Sequence, residues 1–106
     1  MITVTFFKEN GSIVKVSAHG HSGLARHGED ILCAAASALI QTAYLAINDI
    51  VGNVEYKRND EKGEFEFAIP LSCAGRHDAD VVLRALTIGL QDLHSGYPQN
   101  IKLEEQ

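Results

Sequence analysis

At 106 residues, with 45% hydrophobic and 22% charged side chains and only 2 prolines, the chain carries enough apolar material for one modest core and not two. The same composition excludes wholesale disorder. Nine Lys and Arg against fourteen Asp and Glu give a net charge of −5. That balance excludes the positive stripe needed for direct nucleic-acid binding and favours a basic partner or none.

The longest nearly apolar run, Ile31 to Ile40, is ten residues broken by Ser37, against about 20 needed to span a bilayer. No charged-then-apolar leader precedes the first strand pattern, so the expected address is cytoplasmic, with no membrane contact. A structural disulfide between Cys33 and Cys73 is the weaker reading for such a protein.

Ile2, Val4 and Phe6 alternate with Thr3, Thr5 and Phe7, a strand pattern. Glu9-Asn10-Gly11-Ser12 supplies turn chemistry, and Val14, Val16 and Ala18 continue as the second arm of a hairpin. From Asp30 to about Val51 the sequence reads as a helix that opens on a capping residue and closes near Gly52. Its apolar positions (Ile31, Leu32, Leu39, Ile40, Ala43, Ile47, Ile50 and Val51) wrap more than one stripe, which predicts burial on two sides. The sheet can cover one side, and Ala34, Ala35, Ala36 and Ala38 would admit another helix closely on the other. Asn59 to Gly63 joins a second strand pair, with Val54 and Tyr56 before it and Phe65, Phe67 and Ile69 after it. Val82, Leu86, Leu90 and Leu93 then place a helix from Asp78 or Asp80 to about His94, stopped by Gly96 and Pro98. Ile101 and Leu103 form a closing strand. The predicted order is ββαββαβ, an α+β domain over residues 1–106 with two helices on one face of a mostly antiparallel sheet.

The segment from His19 to Glu29 holds three glycines (Gly20, Gly23 and Gly28), three histidines and almost nothing apolar. It reads as a flexible surface loop of the functional kind that does not pack. Cys33 falls three residues after Asp30, in the first turn of the helix. Unpaired amides there favour a thiolate. Cysteine at its ordinary pKa is only a few per cent thiolate at neutral pH, and a helix end supplies about 0.3–1 kcal/mol, too little alone. A neighbouring imidazolium must supply the rest. His21, between Gly20 and Gly23, is the candidate.

The competing readings are a small buried hydrophobe at position 33 and a zinc site of His19, His21, His27 and Cys33, whose spacing matches no common signature. His77 and His94 sit at helix ends and read as capping or solvated groups, and Cys73 as a plain turn residue. Asp30 has two candidate roles, helix cap or orienter of His21, and its place before Ile31 favours the cap.

Gly20-His21-Ser22 followed by Glu29-Asp30-Ile31-Leu32-Cys33-Ala34-Ala35-Ala36-Ser37 resembles the paired motif of the ribosomal-processing cysteine protease family, Prp. In that family a Gly-His motif ends the second strand, and Asp-[apolar]-[apolar]-Cys-Ala-x-x-Ser opens the first long helix. The resemblance runs the whole chain in length and element order; Ala36 stands where a β-branched residue is commoner. It implies a cysteine endopeptidase that removes a short N-terminal extension from large-ribosomal-subunit protein twenty-seven, a basic substrate, with Cys33 as nucleophile and His21 as general base. Asp30 and Ser37 match supporting positions, with Ser22 in the loop beside them. The resemblance also implies a homodimer through helix 30–51 and no cofactor or metal. In the peptidase reading the amides of Cys33 and its helix neighbours hold the oxyanion. A zinc-binding module and a non-catalytic ribosome-assembly interaction protein are the alternatives.

Overall fold

The computed structural model describes residues 1–23, 25 and 30–106. Strands β1 (Ile2–Glu9) and β2 (Ser12–His19) pair antiparallel, with Val4 opposite Ala18 and Phe6 opposite Val16. Asn10 and Gly11 both take positive φ, 50° and 82°. That is the backbone a two-residue hairpin turn needs to match the strand twist. The ladder slips between Phe7 and Lys8, so the alternation of the first strand holds only up to the bulge.

Helix α1 (Ile31–Val51) has Asp30 at its N-cap and Gly52, at φ 80°, at its C-cap, as the sequence predicts. Strands β3 (Glu55–Asn59) and β4 (Glu64–Ala68) follow, then helix α2 (Arg76–Gly96) and strand β5 (Ile101–Glu105). The sheet order is β3-β4-β2-β1-β5, every pair antiparallel except β1 with β5. Both helices contribute to one core with the sheet face bearing Val4, Phe6, Val16 and Phe67. The protein is α+β in the predicted order.

Helix α2 begins earlier than its first capping-type residue. Gly75 is the N-cap, in the left-handed region at φ 84°, so Asp78 lies within the first turn, where its charge complements the helix dipole. Arg76 explains the early start. Its guanidinium donates to the carbonyls of Pro70 (3.0 Å) and Ile13 and pairs with Asp80 at 2.9 Å. The first turn of α2 is thereby tied to the β2 hairpin arm.

Helix α1 is long and apolar enough to cross a membrane by length and composition alone. Leu32, Ala36, Ile40, Ala43 and Ile47 are nevertheless buried within the common core, which makes it a core helix. Its second side meets α2 in the same chain, where Gly89 lets Leu39 approach closely: a β-carbon at 89 would sit 3.2 Å from Leu39 Cδ1. A third stripe stays uncovered, with Ile31 (67%) and Leu45 (63%) exposed on α1 and Val81 (58%) and Ile88 (56%) on α2.

Phe67 is fully buried and packs edge-on and tilted against Phe65 and Tyr44. Phe67→Ala is expected to destabilise the fold by about 3–5 kcal/mol, measured by chemical denaturation. A loss under about 1 kcal/mol would show that this cluster is not where the core is closed.

Candidate active site

A cleft of about 390 Å³ opens between the N-terminal half of α1, the end of β2 and the β3–β4 hairpin. Ala18, Ala36, Ile40 and Phe65 give it apolar walls. His21, Asp30, Cys33 and Ser37 face it from the β2–α1 side, and Arg58, Asp60 and Gly63 from the hairpin. The two motifs thus meet in space.

Asp30 organises the helix side. Its Oδ1 accepts the Cys33 N–H at 2.9 Å, and its Oδ2 accepts the Ser22 hydroxyl and, at 3.4 Å, the Ala25 N–H. The carboxylate is therefore the helix cap. Burial by itself would raise its pKa; the hydroxyl of Ser22 and the amides of Cys33 and Ala25 outweigh that and lower it from 3.8 to about 2. Ser22 also turns its own N–H onto Cys33 Sγ at 3.2 Å. Its carbonyl accepts the side-chain amide of Asn100 at 2.9 Å. Cys33 is half-buried, and both cysteines are free thiols.

Two expectations change here. The start of the β2–α1 loop does pack: Ser22 is buried at 2% exposure, because its polar groups find partners that water would otherwise supply. The amides of Cys33 and Ala34 are engaged by Asp30, through its side chain and its carbonyl (3.1 Å) respectively. They are not open oxyanion donors; the Ser22 N–H is the amide aimed at the sulfur.

His21 is exposed on the cleft wall. Its ring lies against Gly63, where an added β-carbon would meet Cε1 at 2.9 Å and Nε2 at 3.2 Å. Among the described residues no hydrogen bond joins His21 to Cys33, although both face the same cleft. His27 and Gly28 lie outside the described residues. His19 ends β2 one position from core-facing Ala18 and so points to the opposite face of the sheet, into a separate groove with Lys57, Glu64 and Glu66. That placement separates it from Cys33. Among the described residues no cluster of three or more His, Cys, Asp and Glu is placed to hold a metal. His94 Nδ1 bonds the Ile101 carbonyl at 2.8 Å and ties α2 to β5. Cys73 sits 3.8 Å from the Pro70 carbonyl in the turn before α2.

The sequence profile of the cysteine protease Prp family matches residues 1–102. The chain belongs to the Prp cysteine protease family. It is accordingly a hydrolase of the thiol-protease class, concerned with ribosomal processing. The ribosomal processing cysteine protease Prp of Staphylococcus aureus is 29% identical over 97% of both chains. The crystal structure of the S. aureus Prp with a covalently linked product peptide superposes with a TM-score of 0.86 at 26% identity, covering all of both chains. The same S. aureus protease with a substrate peptide gives 0.84, again over both full chains.

Two contributors escaped the sequence reading: Asn100 arrives from the turn before β5, and Gly63 comes from the β3–β4 turn. Ser22, which the sequence reading placed in the flexible loop, bonds Asp30 and Cys33 at once.

Because the Asp30 carboxyl is depressed below its unfolded value, it contributes stability above about pH 4 that is lost as pH falls towards 2. Ser22→Ala is expected to raise the Asp30 pKa towards 3.8 and to move acid unfolding to higher pH. A carboxyl-carbon NMR titration of Asp30 reads this directly, and an unmoved titration would show that the Ser22 hydroxyl does not hold the charge.

Proposed function

We propose that this protein is an endopeptidase that removes the N-terminal extension of large-ribosomal-subunit protein twenty-seven, with Cys33 as nucleophile and His21 as general base. The reading takes residues 1–106 as one protease domain. The observation that carries it is the meeting of the Gly-His and Asp-x-x-Cys motifs across one cleft, with Asp30 fixing the Cys33 backbone and Ser22 its sulfur. The S. aureus relatives, solved with substrate and product peptides, support the substrate class.

In this mechanism His21 takes the thiol proton as the sulfur of Cys33 attacks the scissile carbonyl. The Ser22 N–H, which donates to the sulfur at 3.2 Å, stabilises the thiolate that makes the attack. His21 returns the proton to the leaving amine, and water then hydrolyses the Cys33 thioester. Asp30 keeps the backbone of Cys33 in place, which is the cap role. Ser37 lines the same cleft one helical turn further on. The net charge of −5 suits a basic ribosomal substrate by steering association.

Purified protein incubated with an extended substrate protein should cleave it. Cys33→Ala should abolish turnover, and His21→Ala should lower kcat about 10²–10⁴-fold; both should stay folded, while Cys73→Ser keeps its activity. Substantial turnover by Cys33→Ala would end the assignment.

The uncovered residues Ile31, Leu45, Val81 and Ile88 support a homodimer with a second copy seated on α1, and the cytoplasm is its proposed location. Exposed apolar surface running along two helices is covered by a partner more often than left in water. Sedimentation at micromolar concentration should give twice the 11.5 kDa chain mass, and Leu45→Glu should return it to monomer. A wild-type monomer would contradict the dimer.

A further inference from the structure

We infer that Gly63, in the β3–β4 turn, is a positioning residue for His21; the inference rests on the catalytic role proposed for that histidine. Gly63 takes φ 62° at the end of the Asn59–Gly63 turn, which is closed by its own N–H to the Asp60 carbonyl at 3.2 Å and by Lys62 N–H to Asn59 Oδ1 at 3.2 Å. A β-carbon there would stand 2.7 Å from the Gly20 carbonyl oxygen, 2.9 Å from His21 Cε1 and 3.2 Å from His21 Nε2. The first of these is a backbone atom that cannot swing aside. Gly20 is itself confined: a β-carbon on it would run into the Met1 carbonyl oxygen. The Gly20–His21 segment thus lies between β1 and the hairpin turn, and the imidazole rests where the side chain of residue 63 would be. Sequence distance hides this relation, since 21 and 63 belong to different loops.

Positive φ alone would favour glycine at position 63, so the test must separate strain from contact. Gly11 and Gly52 provide the controls, with φ of 82° and 80° and open space where a β-carbon would go. Gly63→Ala, Gly11→Ala and Gly52→Ala each put a β-carbon on a positive-φ residue, but only the first intrudes on His21. The expected result is a fall in kcat of at least tenfold for Gly63→Ala with KM within threefold of wild type. Its His21 Hε1 resonance should shift, and the two controls should keep both kcat and that resonance. A Gly63→Ala kcat within twofold of the controls, or an unmoved His21 resonance, would overturn the inference. Should Gly63→Ala not fold, the wild-type protein still decides: a nuclear Overhauser contact between His21 Hε1 and the Gly63 α-protons supports the placement, and its absence refutes it. Turnover by Cys33→Ala would instead defeat the parent catalytic reading, leaving the Overhauser contact to speak for the placement alone.

Discussion

The Asp30 carboxylate is the constraint on which the site depends. A short acidic side chain at a helix N-terminus satisfies amides that the helix cannot bond itself. Here it does so while buried, and burying a charge is costly unless every oxygen is engaged. Cys33 takes one oxygen, and Ser22 and Ala25 share the other. The same set of bonds fixes the Cys33 backbone and holds Ser22 and Ala25 against the start of the helix.

This arrangement divides the labour between a rigid and an open wall. On the rigid side, Cys33 is left little freedom by the Ser22 N–H donating to its sulfur and by its own N–H donating to Asp30. On the other side the hairpin presents Arg58, Asp60 and Glu64 to solvent around an apolar floor that includes Phe65 and Ile40. Arg58 and Asp60 form an exposed pair at 2.7 Å, of the kind that contributes little to stability.

Much of the fold was legible because hydrophobic period and turn chemistry agree along the chain. Asn10-Gly11 forces a hairpin, and Asp30 and Gly52 bracket α1. The start of α2 was misplaced because the sequence offers Asp78 and Asp80 as caps. The energetic reason for the earlier start is Arg76, which reaches the Pro70 carbonyl nearby and the Ile13 carbonyl 63 residues away. Among the site residues, Cys33, His21 and Asp30 were visible through motif spacing, and His19 and Cys33 separate once strand alternation is respected. The contributions of Asn100 and Gly63 were invisible because each depends on loops brought together by sheet order. The oxyanion expectation failed for a simpler reason: a cap that holds the Cys33 amide also occupies it.

The parallel pairing of β5 with β1 bears on how the site comes into being. Asn100, immediately before β5, holds the Ser22 carbonyl across 78 residues of sequence. Contacts of that separation repay their loop-closure entropy only when the intervening structure has formed. A fragment ending before Asn100 would keep the Asp30 cap on Cys33 and lose the clamp that aims Ser22 at it. The arrangement around Cys33 is in this sense a property of the completed sheet, acquired with its last strand, and the local motif is only its most visible part.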